Sequence, residues 1–252
     1  MKKNKSNFLE WNIGILAAAF RKIDLGILLI IALDSLFYVL SGYLVMFWFQ
    51  RIQSKAALFA LPQTAASLQV IDKLAADVRN FYYFIIFSFV LVLLLIIFLA
   101  SIAKGLIWAK TTGAKISLGL ISKFLALNLI WMGLWFALIF IVSIVVEPGS
   151  IFFFMIAAGI LDIYFTNTVY TIFMKTGKIS SMLKGMKLSI TKIHLFVAPY
   201  ALVLAVLYAL LAANSYLQSA YSKIAMAAVF LAYAAAVRYY TSTLVLEVSA
   251  LK

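Results

Sequence analysis

The sequence predicts an all-α polytopic integral membrane protein: six transmembrane helices in three hairpins, with interfacial amphipathic helices. Three observations carry that prediction. Of 252 residues, 66% are hydrophobic and 12% charged, against about 45–50% apolar and about 25% charged in soluble domains. A mean hydropathy of +1.11 leaves too few polar side chains to cover a water-exposed surface. Six apolar stretches each reach the ~20 residues that a ~30 Å hydrocarbon core requires. Finally, the basic residues behind the net charge of +13 gather between alternate apolar stretches, which is the positive-inside pattern and not a nucleic-acid patch. Residues 1–252 read as one membrane domain.

Residues 1–24 read as an interfacial amino-terminal helix. Lys2, Lys3 and Lys5 resemble a signal-peptide n-region, but Glu10 and Asn12 interrupt the apolar core that such a peptide needs. Phe8, Trp11, Ile15, Ala19 and Ile23 recur at helical spacing, with Asn7, Glu10, Gly14 and Arg21 largely opposite. That pattern predicts a helix lying in the interface, with Trp11 at headgroup depth.

The spans are expected near residues 25–49, 81–103, 124–146, 151–174, 193–213 and 224–246. Residues 50–80 read as an external helical segment after a break at Pro62, with Leu68, Ile71, Leu74 and Val78 on one face. Glu147-Pro148-Gly149-Ser150 reads as a tight outer turn, since adjacent Pro and Gly do not continue a helix easily. Fifteen of the 21 Lys and Arg fall in the amino-terminal segment, around residues 104–123 and 175–192, and at the last residue. Five lie in the opposite loops, and Arg238 lies within a span. Both termini are therefore expected on the cytoplasmic side.

A short basic elbow occurs twice. Lys110-Thr111-Thr112-Gly113-Ala114-Lys115-Ile116-Ser117 and Lys175-Thr176-Gly177-Lys178-Ile179-Ser180 share K-T-G-K-I-S with two one-residue gaps. Arg21-Lys22-Ile23-Asp24-Leu25 aligns with Thr191-Lys192-Ile193-His194-Leu195, each where a span begins. This predicts three parallel hairpins in a pseudo-three-fold bundle, each introduced by an interfacial helix. Together the elbow, the basic run Met182-Leu183-Lys184-Gly185-Met186-Lys187 and the apolar hairpin after it resemble several six-span families. One is the membrane domain attached to some glycerophosphodiester phosphodiesterases, and others are uncharacterised archaeal and bacterial six-span proteins. The resemblance covers about residues 108–213 and implies a fold without catalysis, because the phosphodiesterase site of that family belongs to a separate soluble domain.

Polar residues inside the spans are the candidate functional groups. Asp34 lies 12 residues beyond Lys22, or ~18 Å along a helix. Asp162 lies 13 residues after Gly149, with Thr166 and Tyr170 extending its face; Asn128 and Arg238 fall in the inner halves of their spans. A charge at this depth costs at least ~2.5–3.5 kcal/mol, so Asp34, Asn128, Asp162 and Arg238 are expected to form one polar layer. Three readings of that layer stand side by side: structural pairing, an ion or substrate pathway, or an Arg238 that snorkels to the surface if its span begins near Tyr216. Ala201, Ala205, Ala209 and Ala213, and likewise Ala228, Ala232 and Ala236, stand four apart, a spacing that lets two helices approach closely.

Catalytic motifs are missing from the sequence: it contains no G-x-S-x-G, no H-E-x-x-H and no P-loop. Two intramembrane aspartates bring aspartyl proteases to mind, but Gly159-Ile160-Leu161-Asp162 lacks the second glycine of their motif. With no Cys and one His, His194, no metal or cofactor is expected, and His194 reads as interfacial. The leading expectation is a non-enzymatic organiser, assembly factor or complex subunit. Lys178, Lys184, Lys187 and Lys192 lie in a segment without acids, each worth ~1 kcal/mol beside an anionic leaflet. Its expected partners are the lipid bilayer, anionic headgroups, and other membrane proteins or further copies of the chain. The alternative is a small transporter or permease using the polar layer, although the spans lack the paired Gly–Pro interruptions of broken-helix transporters.

Overall fold

The structure is a computed structural model describing residues 8–57 and 68–251. Every regular element among the described residues is an α-helix: α1 (Phe8–Lys22), α2 (Gly26–Ala56), α3 (Leu68–Thr112), α4 (Leu118–Val145), α5 (Ile151–Thr176), α6 (Ser181–Thr191), α7 (Ile193–Ser215) and α8 (Ala220–Ala250). Six of them, all but α1 and α6, are long and apolar enough to cross a membrane. The chain is therefore an all-α polytopic membrane protein. Its many exposed Leu, Ile, Val and Phe side chains are what a helix surface in hydrocarbon carries.

The chain divides into two compact units: residues up to Asp34 with those from Ser101 onward, and residues Ser35–Ala100. Inside the second unit, α2 and α3 are joined by the Trp48 indole N–H, which donates to the Ser88 hydroxyl at 2.9 Å. That hydroxyl donates in turn to the Phe84 carbonyl at 2.6 Å, and the Trp48 ring leans on Phe89. Lys55 lies over the Phe84 ring at 3.7 Å, a favourable position for a cation leaving water.

Several boundaries differ from the sequence expectation. α3 runs unbroken for 45 residues, so the described part of the external 50–80 segment from Leu68 onward continues into the second span. The cause is local: residues 68–104 contain neither Gly nor Pro. The Pro62 break and the side chains of Leu68 and Ile71 lie outside the described residues. α2 continues past Arg51 to Ala56, and α8 begins at Ala220, which places Arg238 well inside a 31-residue helix.

The two elbows share a backbone device. Gly113 and Gly177 follow the last residues of α3 and α5 with φ of 71° and 63°, the positive-φ residues among those described. Glycine adopts this left-handed turn without a Cβ penalty, which ends the helix. Past the elbows the two copies diverge. Ser117 accepts from the Leu120 N–H at 3.2 Å and starts α4 directly, so the interfacial helix expected before the third span is absent. After the second elbow α6 stands as a separate helix. It packs on α5 through the buried stripe Ser181, Gly185 and Ser189. A Cβ on Gly185 would lie 2.9 Å from the Val169 Cα, so only glycine permits this approach.

The core of the first unit is centred on α5 and the second half of α8. One cluster joins Ile15 and Ala19 of α1 to Tyr164, Phe196, Leu244, Val245 and Val248. The apolar face of α1 thus packs on α8, while Ile13 and Phe20 of the same helix stay exposed. A second cluster packs Trp108, Phe124, Leu127 and Trp131 against Val169, Tyr170 and Phe173. At the elbow end, polar contacts tie the helix termini together. Lys22 donates to Thr243 at 3.3 Å, Lys110 pairs with Asp24 at 3.0 Å, and Lys175 reaches Ser249 at 3.4 Å.

A candidate functional site: the buried polar seam

The seam lies in the first unit and is built from five helices. Asp34, on the first part of α2, is fully buried. Arg238 of α8 donates to it from both guanidinium arms: Nη1 to Oδ2, and Nη2 to Oδ1 at 3.2 Å. This fork matches the carboxylate plane and satisfies two buried charges at once. Lys104 of α3 adds a second cation, with Nζ 3.9 Å from Asp34 Oδ1 and its side chain 25% exposed. Snorkelling of Arg238 is excluded here, because its guanidinium is turned inward onto Asp34.

One turn before Lys104, Ser101 accepts from the Asn128 amide at 2.9 Å. The Asn128 carbonyl oxygen accepts from the Tyr170 hydroxyl. All three side chains are buried, and leaving any of these groups unpaired costs ~1–3 kcal/mol. Higher on α5, Thr166 donates to Asp162 Oδ1 at 2.9 Å and accepts from the Trp131 indole N–H at 2.8 Å. Asp162, Thr166 and Tyr170 stand four apart on α5 and meet Asn128 and Trp131, three apart on α4, so helical spacing alone aligns the two rows.

The expected layer is thus divided among partners. Asp34 pairs with Arg238, Asn128 bridges Ser101 and Tyr170, and Asp162 is held by Thr166. Lys104 lies within electrostatic range of Asp34, Arg238 and Asp162. Among the described residues neither aspartate hydrogen-bonds the other, so they do not make the proton-sharing pair that aspartyl protease chemistry uses.

Lys104 is the residue that sequence reasoning missed. It reads as a loop lysine, yet α3 continues to Thr112. The signal was Gly113: a helix ending there puts Lys104 nine residues back, ~13 Å inside. Tyr164 was also missed; its buried hydroxyl donates to the Ser189 carbonyl at 2.7 Å and so satisfies a carbonyl in the last turn of α6.

The remaining candidates lie elsewhere. Lys178, Lys184 and Lys187 are exposed, and Lys192 is half-buried where α7 begins. Ala201, Ala205, Ala209 and Ala213 all lie on the exposed side of α7, and Ala228 is exposed while Ala232 and Ala236 are partly covered. The alanine rows therefore do not form the α7–α8 contact. That contact includes the Tyr233 hydroxyl, which donates to the Val203 carbonyl, and the fully buried alanine of α8 is Ala235. Alanine facing lipid costs nothing, so its spacing alone selects no partner.

Outside the spans, Asp24 meets Lys110 at the elbow end. The Lys110 hydrogen bond, with help from the Gly26 N–H, holds the Asp24 carboxyl below its usual range. Both elbows and α8 also line a cavity of about 470 Å³, with Thr112, Gly113, Lys175 and Leu246 among its walls. No protein-family model, curated protein or solved structure matches the chain.

Proposed function

We propose that the chain is a non-enzymatic membrane component, an organiser or complex subunit, whose basic elbow face lies on the cytoplasmic leaflet and holds anionic lipid headgroups. The observation that carries this reading is the division of α6 into two faces. Ser181, Gly185 and Ser189 fasten one side to α5, while Lys178, Lys184 and Lys187 stand exposed around it beside Leu183 and Ile190. Cations next to large apolar side chains on a fixed helix match the headgroup boundary. The elbow cavity adds a further cation, Lys175, in its wall. The bidentate Asp34–Arg238 lock, with Asp34 fully buried, favours a structural layer over a conducting one. The transporter reading draws support from one residue, the partly exposed Asp162.

Two measurements test the proposal. Reporter fusions at Gly113 and Gly177 read cytoplasmic, and those at Glu147 and Ser219 read external; a cytoplasmic signal at Glu147 reverses the orientation. In nanodiscs, adding phosphatidylglycerol to zwitterionic lipid raises the melting temperature of the natural chain. The Lys178→Gln/Lys184→Gln/Lys187→Gln variant loses most of that rise, since each lysine contributes ~1 kcal/mol near an anionic surface. An undiminished rise in the triple variant removes α6 as the headgroup site.

A further inference from the structure

We propose that Asp162 is a reversible proton-binding site within the membrane-spanning bundle, with Lys104 as the cation that its charge recruits. The inference goes beyond the headgroup reading and concerns a different part of the first unit. It begins with a charge count around Asp34. Arg238 already neutralises that carboxylate through both of its oxygens, yet Lys104 also stands 3.9 Å away. The Asp34 end of the seam therefore carries one more positive charge than negative. Asp162 is the reverse case: a carboxylate in the middle of α5 with no ion pair among the described residues.

A carboxylate in that position is costly as an anion and cheap as an acid. Thr166 favours the anion by donating to it, and the Trp131 indole N–H supports the Thr166 hydroxyl. Lys104, on its flexible four-carbon stem, lies within electrostatic range of both acids. When Asp162 is ionised, the surplus cation is drawn toward it and the four charges of Asp34, Arg238, Lys104 and Asp162 cancel. When Asp162 takes a proton, Lys104 settles on Asp34. The proton comes from bulk water and converts carboxylate to carboxylic acid, with no other bond changed.

The other charged and titratable groups on the packed helices are either held by other partners or exposed. On α5, Tyr164 donates to Ser189 and Tyr170 to Asn128. On α4 the seam is lined by the neutral Asn128 and Trp131, and Lys123, in the second turn, is exposed. α6 offers Lys184 and Lys187, which are exposed. α8 contributes Arg238, held by Asp34, and Tyr240, packed in the cluster around Tyr164.

The test is infrared difference spectroscopy of the full chain in nanodiscs, titrated from about pH 4 to about pH 9, a range that also spans ordinary exposed carboxyls. The natural chain minus Asp162→Asn is expected to show one carboxylic-acid carbonyl band that appears and disappears reversibly with pH. No such band in that difference overturns the proposal. Thr166→Val and Lys104→Met each remove a group that favours the anion, so each should move that titration to higher pH. If Asp162→Asn does not fold, these two variants decide: a shift in either supports the site, and an unchanged titration in both overturns it.

Discussion

Asp34 and Asp162 bring the same side chain into the apolar interior of one unit, and the protein treats them in opposite ways. Asp34 is fully buried, gripped through both oxygens by Arg238 and approached by a second cation. Asp162 is partly exposed and held by one hydroxyl of its own helix. The difference comes from which helices face each acid. α2 meets Arg238 of α8 and a lysine of α3, whereas α5 meets the aromatic and amide side chains of α4. A buried carboxylate supplied with a guanidinium becomes a fastening between helices. One supplied only with a hydroxyl keeps its ability to exchange a proton.

The largest expected effect breaks the Asp34 side. Arg238→Leu removes the two-armed fork and leaves the buried Asp34 carboxylate with Lys104 at 3.9 Å as its cation, and should lower stability by up to ~3–5 kcal/mol in thermal unfolding in lipid. Combining it with Asp34→Leu removes the poorly paired carboxylate and restores most of the loss, whereas combining it with Asp162→Asn restores much less. Coupling of Arg238 to Asp162 instead would exchange the roles of the two acids. A middle effect falls on the bridge: Tyr170→Phe leaves the buried Asn128 carbonyl oxygen without its donor and should cost ~1–3 kcal/mol by the same measurement. A loss as small as that of Asp162→Asn, expected near the ~0.6 kcal/mol average for polar contacts in membranes, would mean that water replaces the phenol.

The smallest effect concerns a third carboxylate, Asp24, exposed at the elbow end. Its carboxyl is held low by Lys110, so folding favours the ionised form. That contribution is present above the unfolded value near about 4 and is lost as pH falls through the lower folded value. The melting-temperature difference between the natural chain and Asp24→Asn should therefore hold steady above about pH 5 and shrink below about pH 4. High salt should reduce it at every pH, because the pair is open to screening. A difference that grows on acidification would overturn the pairing.

Sequence reasoning reached the spans because each is long and apolar, and it reached Asp34, Asn128, Asp162 and Arg238 because charge and amide at depth are conspicuous. It misjudged features that depend on where a helix stops or which way it faces. Lys104 was counted with the loop because the end of α3 was placed at residue 103, nine residues before Thr112. α1 has the same apolar periodicity whether its partner is lipid or another helix, and the contact of Ile15 and Ala19 with the end of α8 is visible only in the fold. The alanine rows fail for a similar reason. Their spacing permits close approach, but orientation decides whether another helix arrives, and on α7 that side is exposed.

The seat of α6 also bears on how the chain is made. Its two fixed points, the glycine gap over Val169 and the Tyr164 hydroxyl on the Ser189 carbonyl, both belong to an α5 that emerges from the ribosome earlier. With 11 residues, α6 is ~16 Å long and too short to cross, so it must wait at the surface until α5 is in place. The receiving surface therefore exists before its occupant, and α7 is delivered to the bilayer from a helix already docked. A side chain at position 185 would spare every span and still spoil the order of assembly. The defect to look for is a fully inserted chain that a protease cuts between residues 177 and 193.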